Sequence, residues 1–143
     1  MRSLSAKRIV RSGNNNELMH ILDSSAIIEV LRDGDNAGSF KDVFLKLDDV
    51  LLPSIILTEV RRFYLRELGR EQADLVTRSL LRCREIPIDH RIAELAADVS
   101  REHRLPIADA LIYASAITHV ATLWTQDNHF EHLPHVQYFQ KVY

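Results

Sequence analysis

What most constrains this chain is an alternation. Short apolar runs keep giving way to longer stretches whose apolar residues recur at helical spacing. The run "HIL" (20–22) ends in Asp23, and "SSAIIEVLR" (24–32) then reads as a helix, with Asp-Ser-Ser a natural N-cap cluster. After a loop at 33–38, Phe40, Val43, Phe44 and Leu47 fall at i, i+3, i+4, i+7, one face of a helix. "DVLLP" (49–53) predicts a buried strand closed by Pro53. Ser54 is placed to cap the next helix, whose stripe is Leu57, Val60, Tyr64 and Leu68 and which Gly69 stops. Ala73, Val76, Leu80 and Cys83 mark a further amphipathic helix. "EIPI" (85–88) predicts a short strand, its proline suited to a sheet edge. Asp89 is placed to cap a helix striped by Ile92, Leu95, Ala96, Val99 and His103. A helix restarts near Pro106 or Ile107, and its Ala110, Ala114 and Ala116 permit close packing on a sheet, so burial is expected. "VATLWT" (120–125) and "VQYF" (136–139) complete the strands. This order predicts an α/β domain with a mainly parallel sheet and helices on both faces.

Composition supports that reading. A chain of 143 residues, 46% hydrophobic and 27% charged, suffices for one globular domain with a real core. Residues 1–18 differ: they are basic and run into "SGNNN", so they are expected to be a flexible N-terminal extension to a compact domain at 19–143. The single cysteine, Cys83, excludes an internal disulfide and a cysteine-built zinc site and suits the reducing cytoplasm. No apolar run reaches membrane-spanning length, so no membrane partner is expected. The net charge of −2 gives no bulk attraction to nucleic acid. Such a contact needs a local patch, or cations that invert an acidic site.

Acidic residues occupy corresponding places in the predicted layout. Asp23 follows the first strand, Glu59 lies early in the helix after the second, Asp109 opens the buried helix and Asp127 follows "VATLWT". In an open parallel sheet the carboxyl ends of the strands share one edge, and the helices that follow start there. Four carboxylates distant in sequence can therefore meet in one cleft. Alone they repel one another and raise each other's pKa. A divalent cation removes the conflict, and hard oxygen donors suit Mg²⁺ or Mn²⁺. One such ion, or two roughly 3.5–4 Å apart, can activate water and stabilise a phosphodiester under attack. Singly, each residue also has an ordinary structural role open to it: a helix N-cap for Asp23, a solvated charge for Glu59, a dipole contact for Asp109 and an Asx-turn for Asp127.

The segments "ILDSSAIIEVL", "LLPSIILTEV", "LPIADALIYASA" and "TLWTQDNHF" together resemble the four acidic motifs of PIN domains, above all the VapC-type toxins of toxin–antitoxin pairs. The resemblance spans nearly all of the chain from residue 19. It implies a three-layer α/β/α fold with a central, mainly parallel sheet of four to five strands. It also implies Mg²⁺- or Mn²⁺-dependent endoribonuclease activity, an RNA substrate, a small antitoxin partner and homodimerisation. By motif, Asp23, Glu59, Asp109 and Asp127 are the implied catalytic and metal-binding residues, with Asp23 and Asp109 the first choices as direct ligands. Ser25 and Thr125 match small hydroxyl positions that orient carboxylates or water, although local turn bonds account for them equally well. His129-Phe130 fits the last motif, with Phe130 packing and His129 facing the cleft.

The segment "EVRRFYLRELGR" that begins at Glu59 supplies Arg61, Arg62, Arg66 and Arg70. Arg61 and Arg62 are the first choices to hold RNA phosphate, against a solvated helix face with Glu–Arg pairing. His129, His132 and His135 recur at three-residue spacing, but Pro134 breaks a helix there, so loop histidines are expected. Cys83 and Trp124 read as packing residues. Competing functions are a non-toxin RNA-processing nuclease, another metal-dependent phosphohydrolase and a binding module without catalysis. A nucleophilic-aspartate phosphatase typically needs a second aspartate where this chain has Ser25, and the intact acidic set argues against a pure binding module.

Overall fold

The apolar runs become five strands in the computed structural model, which describes residues 19–143. They are β1 (His20–Leu22), β2 (Val50–Pro53), β3 (Arg84–Ile86), β4 (Thr122–Thr125) and β5 (Val136–Tyr138). The extension expected at 1–18 lies outside the described residues. Every pairing is parallel, in the order β3-β2-β1-β4-β5. Ile21 stands in register with Leu51 on one side and Leu123 on the other. All three are buried, as are all four residues of β2, because a parallel sheet covered on both faces needs continuous apolar strands. Burying each such side chain contributes about 2 kcal/mol. The short edge strand β3 keeps Arg84 and Glu85 exposed, which blunts pairing with other chains.

Six helices cover the sheet: α1 (Ser24–Leu31), α2 (Ala37–Phe44), α3 (Ser54–Glu67), α4 (Arg70–Leu80), α5 (His90–His103) and α6 (Ile107–Thr118). α6 is buried along Ala110 and Ile112–Ala116 and packs side by side with α5. Its small residues allow that approach. Among the described residues no helix is long and apolar enough to cross a membrane.

Several local expectations shift. Pro53, not Ser54, holds the N-cap position of α3, and no side chain caps it. The buried stripe of α3 is Ile56, Val60 and Tyr64, while Leu68 is 62% exposed. The helix has ended by Leu68, and Gly69 at φ +94° turns the chain into α4, a conformation that glycine adopts without strain. α2 begins at Ala37, inside the predicted loop, because Ala37 is buried. β4 begins at Thr122, since Val120 is exposed with φ +52°.

The order of the strands reverses between β1 and β4: the chain moves outward to β2 and β3 on one side, and to β5 on the other. A crevice at the carboxyl ends of the strands forms at such a switch point. Asp23 follows β1 and Asp127 follows β4, so both border it.

Candidate functional site

Asp23 starts α1 with its backbone: its carbonyl accepts from the N–H groups of Ala26 and Ile27 at 2.9 and 3.0 Å. Its side chain caps nothing. Instead Oδ2 receives the hydroxyls of Thr125 at 2.7 Å and Ser25 at 3.0 Å. Among the described residues only Oδ2 of this carboxylate receives hydrogen bonds, although Asp23 is just 3% exposed. Burial pushes its pKa up to about 7; the Thr125 and Ser25 hydroxyls oppose the rise, and the charges of Glu59 and Asp109 add to it. The Thr125 hydroxyl also accepts from the N–H of Asp127 at 2.9 Å, so one buried oxygen joins the ends of β1 and β4.

Glu59 reaches the same edge from the second turn of α3, where the Ser24 hydroxyl donates to Oε1 at 3.0 Å. Burial raises its pKa, and the charges of Asp109 and Asp127 raise it further against Ser24 and Arg62. Asp109 lies in the first turn of α6. Its Oδ2 sits 2.8 Å from His129 Nδ1, which is also 3.3 Å from Asp127 Oδ1. Burial raises the Asp109 pKa, with the charge of Asp127 adding to it and His129 opposing. The bond to Asp109, then the charge of Asp127, raises the His129 pKa, which favours its imidazolium form beside the carboxylates. Asp127 makes the Asx-turn open to it, accepting the His129 N–H at 2.9 Å.

The structure thus brings the four acids to one sheet edge, but not equally closely. Asp109, Asp127 and His129 each offer a donor atom within 4.8 Å of the others. Asp23 and Glu59 meet them through their charges. A divalent cation fits this donor set. The oxygens are hard, among the described residues the buried Asp23 carboxylate has one oxygen without a donor, and the charges of neighbouring acids add to the burial that raises the pKa of Asp23, Glu59 and Asp109.

The two arginines differ. Arg61 bonds Asp74 at 2.8 Å and Thr77 at 2.9 Å, tying α3 to α4. Arg62 lines a groove of about 280 Å³ with Ser24, Glu59 and Phe63. Two supporting residues escaped sequence reasoning. Ser24 holds Glu59 and was legible only as part of a cap cluster. Asn36 donates to Gln126 Oε1 at 2.7 Å and to the Gln140 carbonyl at 2.8 Å, contacts across 90 and 104 residues that no local pattern announces.

The PIN domain family model matches residues 20–136. No curated protein matches. Among solved structures, a toxin–antitoxin complex from Klebsiella pneumoniae contains a chain 23% identical, with a TM-score of 0.70 over 82% of this chain and 95% of that one. FitAcB from Neisseria gonorrhoeae is 25% identical, with a TM-score of 0.66 over 85% of this chain and 96% of that one. VapC20 from Mycobacterium tuberculosis, described as a sarcin–ricin-loop-cleaving toxin, is 16% identical, with a TM-score of 0.63 over 78% of this chain and 92% of that one.

Proposed function

Because the chain belongs to the PIN domain family, we propose that it is a divalent-metal-dependent endoribonuclease and the toxin of a toxin–antitoxin pair. The observation that carries this reading is the convergence of Asp23, Glu59, Asp109 and Asp127, with His129, on one edge of the sheet. Asp109 and Asp127 would hold Mg²⁺ or Mn²⁺ together with the free oxygen of Asp23. When bound, the ion supplies Lewis-acid stabilisation of the phosphodiester and a lowered water pKa.

The chain's own residues do the rest. Thr125 and Ser25 fix the Asp23 carboxylate. Glu59, held by Ser24 and with a raised pKa, takes the proton of the attacking water. As the water oxygen bonds to phosphorus and the phosphorus–oxygen bond to the leaving ribose breaks, His129 at the exposed rim supplies the proton for the leaving oxygen. Arg62 offers its guanidinium to a neighbouring phosphate.

The antitoxin reading is supported by structures of toxin–antitoxin complexes among the similar folds. It is supported too by a groove of about 690 Å³ lined by Leu31, Phe63, Leu68 and Val76, where Leu31 and Leu68 lie exposed. Homodimerisation is part of the same proposal and is tested by light scattering.

The deciding experiment is cleavage of total RNA by partner-free protein with Mg²⁺ or Mn²⁺ and with chelator, beside a folded Asp109→Asn variant. Metal-dependent cleavage lost in the variant supports the reading. A folded wild type that cleaves nothing with either ion moves it to a PIN-fold binding module.

A further inference from the structure

Beside the acidic site, and sharing Asp127 and Ser25 with it, lies a cavity of about 370 Å³ whose other lining residues the acidic site does not use. We propose that this cavity is a nucleotide subsite, holding the base next to the scissile phosphate of single-stranded RNA between Tyr138, Gln140 and Asn128, with Lys141 on the adjoining phosphate. The proposal rests on the ribonuclease reading for its substrate class.

Size is the first argument. The cavity sits at the small end of the roughly 300–1,000 Å³ range of ligand pockets, suited to one nucleoside rather than a peptide segment. Chemistry is the second. Tyr138 is a half-buried aromatic ring on the edge strand β5, and the ring of Tyr143 lies fully exposed beside it. Aromatic faces accept any base by stacking. Asn128 and Gln140 carry side-chain amides, which offer both donors and acceptors to a base edge. Lys141 brings positive charge beside a site crowded with carboxylates, in a chain of net charge −2.

Preorganisation is the third argument. The floor is Gln126, only 4% exposed, whose side chain is fixed at both ends: Oε1 by Asn36 at 2.7 Å and Nε2 on the Ser25 carbonyl at 3.3 Å. Asn36 simultaneously holds the Gln140 carbonyl at 2.8 Å. Tyr138 is held by the pairing of β5 with β4, and the next N–H, from Phe139, donates to the Thr125 carbonyl at 3.0 Å. Base and phosphate positions are therefore set by the same strand end that positions Asp23 and Asp127. A site so braced loses little ordering entropy on binding. A protein partner is disfavoured here, because the groove that exposes Leu31 and Leu68 lies elsewhere and this lining is polar.

The test uses the full chain carrying Asp109→Asn and a 5′-fluorescein single-stranded RNA octamer of mixed sequence, read by fluorescence anisotropy. Adding Tyr138→Ala is expected to raise the Kd about tenfold or more, the scale of one lost stack. Tyr138→Phe keeps the ring and rescues binding. Lys141→Ala weakens binding and reduces its salt dependence. In the chain with Asp109 intact, Tyr138→Ala lowers the ratio of RNA to bis(4-nitrophenyl) phosphate turnover by a similar factor. An unchanged Kd in Tyr138→Ala overturns the subsite, as does a parent chain that binds no RNA. Loss in Tyr138→Phe equal to that in Tyr138→Ala also overturns it. Tyr138-dependent binding in a protein that never cleaves RNA overturns the ribonuclease reading and leaves the subsite standing; cleavage with Tyr138-independent binding does the reverse.

Discussion

Asp23 and Asp89 hold the same position, the residue before a helix, and use it in opposite ways. Asp89 accepts the Ile92 N–H at 3.0 Å, sits in solvent, and has its pKa lowered chiefly by that bond. Asp23 leaves the first turn of α1 without a side-chain cap, is buried, and has its pKa raised to about 7. Both sequences look like caps. The difference lies in what precedes them: a loop before α5, and the carboxyl end of the central strand before α1. A carboxylate at a helix start stabilises the helix; one at the switch point of a parallel sheet is drawn into the crevice instead.

The largest expected effect separates the two aspartates by activity. Asp23→Asn should lower metal-dependent RNA cleavage by about a thousandfold, several kcal/mol of lost electrostatic stabilisation. Asp89→Asn should leave the rate within about twofold, because an asparagine still caps. Initial rates on the same RNA, with circular dichroism to check folding, decide the matter, and equal losses would erase the distinction.

Stability against pH reverses the ranking. The Asp23 pKa rises from an ordinary 3.8 to about 7 on folding, so the folded state holds the proton more tightly. Metal-free stability is therefore fullest below the ordinary value and falls as pH rises towards 7, by up to about 4 kcal/mol. Asp23→Asn removes this loss, and in chelator at pH 8 it should unfold at higher urea than the wild type. Asp89 has the opposite sign: its stabilisation is present above the ordinary carboxyl pKa and is lost as pH falls through the lowered one. Urea midpoints of Asp89→Ala should thus lie below wild type at pH 7 and converge with it in strong acid.

A smaller effect tests the hydroxyls that take the place of a cap at Asp23. Thr125→Val removes a donor to Asp23 and the acceptor of the Asp127 N–H, and should lower kcat/KM by about 10- to 100-fold. A variant with wild-type kinetics would show that the carboxylate needs no such support. Smallest is Arg61→Ala. It breaks the tie to Asp74 and Thr77, should cost up to about 1 kcal/mol of stability, and should leave the KM for RNA unchanged, whereas Arg62→Ala should raise that KM.

Much of this is legible in the amino-acid sequence alone. Strands buried on both faces leave continuous apolar runs, so "HIL", "VLLP" and "TLWT" announced the sheet, and acids just beyond them announced its edge. The register of α3 was less legible, because Ile56 and Leu57 are equally apolar neighbours and only packing chooses Ile56. The split between Arg61 and Arg62 depends on α4, which no pattern within α3 reveals. The close grouping of Asp109, Asp127 and His129 is likewise tertiary: it joins the first turn of α6 to the turn after β4. Asn36 was hidden for the same reason, being an ordinary loop residue until its distant partners arrive.

The central place of β1 also sets a timetable. β1 is the earliest strand among the described residues, yet one of its two neighbours, β4, is among the last to be synthesised. The hydroxyl that seats Asp23 belongs to Thr125, which the ribosome adds 102 residues later. Closing so long a loop is slow, and N-terminal segments wait for it. A growing chain therefore carries the first carboxylate of its acidic set for most of its synthesis without the crevice that would put it to use, and any truncation before Thr125 yields a product whose acidic set is never assembled.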